Sequence, residues 1–194
     1  HADMGFYGAK PYMVYFGNNN YADFAYSTST VSPFTFVASA SDGANVVGEN
    51  SSISIDYIPG STTMAVAYVT DGGELRFATD IVDLVGAVEE EEWDGSLSSI
   101  DIPDQSNSKL LWANNQYNLF FTGTEDDGTW SIYMTTSTAG VDGTWSEDQT
   151  VMSIVGSVDM DTEEVLFDAE YDTFNSNFVL TAFASNTGSL VIST

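Results

Sequence analysis

Residues 118–136, NLFFTGTEDDGTWSIYMTT, decide the fold. An apolar run opens the stretch, an Asp-Asp-Gly turn signal interrupts it, and a second strand-like run closes on small hydroxyl residues. The same arrangement occurs three more times, as Tyr12–Thr28 (YMVYFGNNNYADFAYST), Met64–Thr79 (MAVAYVTDGGELRFAT) and Phe178–Thr194 (FVLTAFASNTGSLVIST). Equivalent positions in the second run are Tyr26, Phe77, Met134 and Ile192, which stand 51, 57 and 58 residues apart. Each copy carries Asn, Asp or Gly where a tight hairpin asks for positive φ: Gly17–Asn20, Asp71–Gly73, Asp126–Gly128 and Asn186–Gly188.

Tandem units of this length, each worth about four strands, predict an all-β fold, a β-propeller of about four blades. One domain over 1–194 is expected, with blades near 1–45, 46–103, 104–157 and 158–194. Inner strands are predicted at Asp3–Tyr7, Ser52–Ile58, Lys109–Ala113 and Glu164–Glu170. Outer strands are predicted at Pro33–Ala40, Glu91–Ile100 and Thr144–Ile154. Ile53–Tyr57 alternates as a half-buried strand should, whereas Met64–Val69 and Phe178–Phe183 are apolar enough to be covered on both faces by neighbouring blades. Asp80–Val88 has some helical spacing and reads equally as a loop or short turn. The fourth unit stops at its third strand, so its open edge predicts self-association or a partner strand, unless the natural chain continues.

Composition narrows the partners. The chain has 29 Asp plus Glu against 3 Lys plus Arg, for a formal net charge of −26. Nucleic acid and anionic membranes are therefore unsuitable partners, since phosphate contacts need cations and only Lys10, Arg76 and Lys109 supply them. Such charge repels itself unless salt screens it, which fits a saline exterior or charge matched to a cation such as calcium. Hydrophobic residues make up 43% of the chain, outside the range of disordered sequences. With no cysteine, disulfides, thiolate catalysis and Cys-based zinc sites are excluded. No apolar run approaches the ~20 residues that cross a bilayer. An extracellular, cell-surface or virion-surface location is expected, and His1 reads equally as a processed terminus or a cloning boundary.

The unit Tyr12–Phe36 (YMVYFGNNNYADFAYSTSTVSPFTF) resembles a blade of the furanosidase-type glycoside hydrolase propellers. Tyr117–Val151 is similar, and its Asp142-Gly143-Thr144-Trp145 resembles the Asp-box turn of sialidase-like propellers, where an Asp and a Trp lock the blade edge. The resemblance implies the propeller fold across nearly the whole chain. It does not extend to the catalytic residues. The furanosidase-type enzymes usually have five blades and carry an early aspartate beside a Trp/Asn-Asp-Pro pattern, and Asp3 lacks that context. No glutamate matches their general acid.

Inner strands of a propeller line its axial channel, so Asp56, Asp168 and Glu170 are the candidate acid/base and nucleophile for a glycosidase, which needs two carboxylates facing one pocket. The chain's abundance of acids makes solvated or calcium-neutralised carboxylates the leading account of them. Asp159, Asp161, Glu125 and Asp126, in DMDTEE and TEDDG, are candidate calcium ligands without a full EF-hand pattern. Glu89–Glu92 reads as a charged blade rim that prevents edge pairing. His1 is the only histidine, which removes Ser-His-Asp chemistry and a two-histidine copper site. Exposed Tyr12, Tyr15, Tyr21, Trp93, Trp112 and Trp130 would suit sugar stacking, and buried ones would pack between blades. The leading expectation is a non-catalytic module recognising glycan or protein. A glycosidase and a structural subunit of an appendage or capsid are the alternatives.

Overall fold

The computed structural model describes residues 2–7, 10–16, 22–26, 35–39, 53–57, 64–69, 75–79, 89–92, 100–101, 106–125, 129–138, 145–157, 165–184 and 189–193. The four turn signals of the repeats lie outside these residues, as do Asp80–Val88, Asp142–Thr144, His1, Tyr21 and Trp93.

The four repeat units form four antiparallel sheets. The first runs β1 (Ala2–Tyr7), β2 (Lys10–Phe16), β3 (Ala22–Tyr26) and β4 (Thr35–Ser39) in sequence order. The second runs β5 (Ile53–Tyr57), β6 (Met64–Val69), β7 (Leu75–Thr79) and β8 (Glu89–Glu92). The third consists of β9 (Ile100–Asp101), β10 (Ser108–Ala113), β11 (Gln116–Glu125), β12 (Thr129–Ser137) and β13 (Gln149–Ser157). The fourth is β14 (Val165–Asp172), β15 (Asn177–Ala184) and β16 (Ser189–Ser193). The innermost strands lie side by side, β1 with β5, β5 with β10 and β10 with β14. The chain is a β-propeller.

Two strands depart from the sequence expectation. The outer strand of the second blade is Glu89–Glu92, not Glu91–Ile100. It pairs with β7, with Arg76 opposite Glu92 and Thr79 opposite Glu89. The glutamate run therefore does not prevent pairing on its inner side; it is the last strand of its sheet. Ile100 belongs to the next sheet. β10 pairs with β11 only as far as Phe121, and β9 takes the remaining edge, placing Asp101 opposite Thr124 and Ile100 opposite Glu125.

Packing between sheets follows the pleat. Alternate side chains of β11 point to opposite faces. Tyr117, Leu119 and Phe121 join Ala65, Ala67, Val69, Leu75 and Phe77 of the second blade. Phe120 joins Trp130, Ile132, Val165, Ala169, Leu180 and Ala182, bridging the third and fourth blades. Trp145, the one described residue of the Asp-box-like turn, packs edge-on to Phe77 at 5.0 Å, so it ties the third blade to the second. Ser146 anchors that segment, since its N–H donates to the Thr136 carbonyl at 2.8 Å and its carbonyl accepts the Thr135 hydroxyl at 2.8 Å.

Residues 65–69 are all buried, as expected for a strand covered on both faces. The expectation fails for Phe178–Phe183. Leu180 and Ala182 are buried against the third blade, but Phe183 and its cross-strand partner Leu166 are each 39% exposed on the other face. The β10–β11 hairpin turns on Asn114 and Asn115, at φ 55° and 61°. That is the left-handed pair of a type I′ turn, which asparagine tolerates better than most residues.

Candidate functional site at the propeller axis

An inner strand has its sheet partner on one side only, so the N–H groups facing the next blade need other acceptors. Side chains of the preceding blade provide them. Asp3 Oδ2 accepts the Ile55 N–H at 3.1 Å, Ser54 Oγ the Leu110 N–H at 2.8 Å, and Asp56 Oδ2 the Trp112 N–H at 2.6 Å. Between the third and fourth blades the polarity reverses, and Asn107 Nδ2 donates to the Val165 carbonyl at 2.8 Å. The alternation Ile53-Ser54-Ile55-Asp56 thus buries two isoleucines on one face and sends two acceptors to the other.

Lys109, on β10, stands among these side chains. Its Nζ lies 3.6 Å from Asp3 Oδ2 on the first blade and 3.3 Å from Asp168 Oδ1 on the fourth. One ammonium thereby joins three blades. Burial alone would pull the Lys109 pKa down, but the charges of Asp3 and Asp168, the hydrogen bond to Asp168 and the charge of Glu170 outweigh it, and the net shift is upward. The ammonium is the state the site stabilises. Asp168 Oδ1 also accepts the N–H of Ala169 at 3.0 Å, which orients the carboxylate within its own strand. Sharing the ammonium places the two contacting oxygens of Asp3 and Asp168 within about 7 Å of each other.

Of the three sequence-proposed axial acids, Asp168 and Glu170 share the exposed face of β14 and both act on Lys109. Asp56 is turned to the Trp112 backbone and serves as an interblade acceptor. The sequence reading missed Asp3 and Lys109. The signal for Lys109 was present: it is one of three cations in the chain and falls on a predicted inner strand. Among the proposed calcium ligands, Asp126, Asp159 and Asp161 lie outside the described residues, and Glu125 is described only as a backbone partner of Ile100. Among the described residues no group of three or more His, Asp or Glu is arranged to hold a metal. Trp130 is fully buried, and Trp112 packs edge-on to Tyr117 at 4.8 Å, so both take the packing role.

No protein-family model matches the sequence, and no curated protein matches it. Solved structures do. The chain superposes on the endo-arabinase of Bacteroides thetaiotaomicron with a TM-score of 0.59 at 13% identity, covering 99% of this chain and 73% of that one. The α-L-arabinofuranosidase Arb93A of Fusarium graminearum gives 0.59 at 10% identity, covering 100% and 65%. An exo-β-1,3-galactanase of Phanerochaete chrysosporium gives 0.58 at 15% identity, covering 93% and 41%. The chain has their fold. It therefore spans about two fifths to three quarters of the length of these structures. The resemblance to furanosidase-type blades read from the sequence agrees with this likeness at the level of the fold.

Proposed function

We propose that this propeller binds a neutral glycan at the axial cluster of Asp3, Lys109, Asp168 and Glu170, and holds it without hydrolysis in a saline extracellular or surface setting. The observation that carries the reading is the single ammonium shared by two carboxylates from different blades. Charge-assisted donors and acceptors of this kind suit sugar hydroxyls. A net charge of −26 disfavours anionic sugars. Glycoside hydrolysis asks one carboxyl to carry a proton for the leaving group, whereas Asp3 and Asp168 are both in contact with the Lys109 ammonium. The carbohydrate-active enzymes among the structural neighbours support the ligand class by analogy of fold.

A second reading has one observation in its favour. The Asp3–Asp168 spacing, within about 7 Å, overlaps the ~5–9.5 Å range of glycosidase carboxylate pairs. Calorimetry and reducing-sugar release with arabinan and β-1,3-galactan in molar salt separate the two. Binding without release, weakened in Asp3→Asn and Asp168→Asn, is the expected result. Release that disappears in either variant would establish the hydrolase instead, and failure to bind either polymer would remove the glycan reading.

A further inference from the structure

The turn between β14 and β15 carries a ring that no described residue covers. Phe174 is 93% exposed, the most exposed large apolar side chain among the described residues. The turn that carries it is built rather than loose. Asp172 Oδ1 accepts the N–H groups of Phe174 at 2.9 Å and Asn175 at 3.3 Å, and Oδ2 accepts Asn175 Nδ2 at 2.6 Å. Ser176 turns the chain back at φ 58°. At the base of the hairpin the Tyr171 hydroxyl donates to Asn114 Oδ1 at 2.7 Å, tying this turn to the Asn114-Asn115 turn of the neighbouring blade. Tyr171 and Phe178 pack on each other below it, with ring centres 5.1 Å apart.

The surroundings of the ring are unusual for this chain. Within the turn Thr173, Asn175, Ser176 and Asn177 are exposed and uncharged, and Asp172 is its one acid, on a protein with 29 acidic residues. The carboxylate of Asp172 is committed to the turn by its three hydrogen bonds. An aromatic face on a fixed backbone, flanked by amides and hydroxyls and by one carboxylate held in the turn, matches the two surfaces of a sugar: an apolar C–H face and a rim of hydroxyls. A protein partner's anchor pocket would also accept a phenyl ring, but it gains nothing from the rim of amides. On β14, Asp172 lies four residues beyond Asp168, about 13 Å along the strand, so the turn is separate from the Lys109 cluster.

We propose that the Asp172–Asn177 turn is a second carbohydrate contact, in which the Phe174 ring stacks on the apolar face of a neutral pyranose or furanose and the neighbouring amides meet its hydroxyls. This contact stands independently of the axial site. The test is a titration of the whole chain with arabinobiose and β-1,3-galactotriose in molar salt, followed by backbone-amide NMR. The expected result is a set of shifts at Phe174, Asn175 and Ser176, retained in Asp3→Asn and in Phe174→Trp. In Phe174→Ala the affinity read from these shifts should fall about tenfold, which corresponds to one stacking contact. The melting temperature should stay unchanged, because the side chain packs on nothing. Shifts that are absent with both sugars, or unaltered in Phe174→Ala, overturn the proposal. So does a change of sedimentation coefficient in Phe174→Ala without any sugar, which would assign the ring to a protein contact.

Discussion

The third and fourth blades use similar apolar strands in different surroundings. β11 of the third blade sends Leu119 and Phe121 into one interblade cluster and Phe120 into another, and all three are fully buried. β15 of the fourth blade buries Leu180 and Ala182 against the third blade, yet leaves Phe183 39% exposed beside Leu166. An apolar run thus reports that a strand is compatible with burial on both faces. Whether both faces are covered depends on which sheets stand beside it, and that is a property of the assembly.

The largest test of this contrast is truncation. Trp130→Ala or Phe121→Ala should cost about 3–5 kcal/mol in denaturant unfolding, because each empties a closed interblade cluster. Phe183→Ala should cost under about 1 kcal/mol, since its ring is already partly in water. Equal costs would show that the fourth blade is as enclosed as the third.

The hairpin turns sharpen the comparison at a smaller scale. Asn115→Val places a β-branched residue at φ 61° and should destabilise the third blade by about 1–2 kcal/mol, while Asn115→Gly should be tolerated. Hydrogen exchange confined to β10 and β11 checks that the loss is local.

Two titrations follow. The Lys109 pKa is raised in the folded protein above its ordinary 10.5. The stability this contributes is therefore fully present below pH 10.5 and is lost as pH rises through the folded value. Alkaline unfolding of Lys109→Met should lack that component when compared with the parent chain. Asp172 is lowered below its ordinary 3.8 by its hydrogen bonds from Asn175 and Phe174. Its contribution is present above pH 3.8 and fades as pH falls through the lower folded value. Asp172→Ala should show a slightly shallower loss of stability in acid, the smallest of these effects, because the carboxylate is exposed to solvent.

Much of this architecture was legible in the sequence. The tandem hairpins, their spacing and the inner strands follow from period-two alternation in Ile53–Tyr57 and from apolar runs such as Met64–Val69. What escaped is what depends on partners far apart in the chain. Lys109 acquires its role only when Asp3 and Asp168, from the first and fourth blades, arrive beside it. Asp56 was legible as an acid on an inner strand, but not that its Oδ2 accepts the Trp112 N–H of the next blade. Ile100 left its expected outer strand because β11 outruns β10 and leaves an edge to fill, a length mismatch that no local pattern reports. The Asn114-Asn115 turn carried a signal that the sequence reading did not use, two residues that tolerate positive φ between two apolar strands.

The central claim is that one lysine fastens separate blades across the axis. A double-mutant cycle between Lys109→Met and Asp3→Asn, measured by urea unfolding in 1 M salt, tests it most directly. At that ionic strength the Debye length is ~3 Å, so the diffuse repulsion of a −26 chain is screened and a contact pair remains. Both side chains are mostly buried, at 19% and 24% exposure, and the account predicts a coupling of about 1 kcal/mol. Additive effects, with no coupling between the two positions, would contradict it.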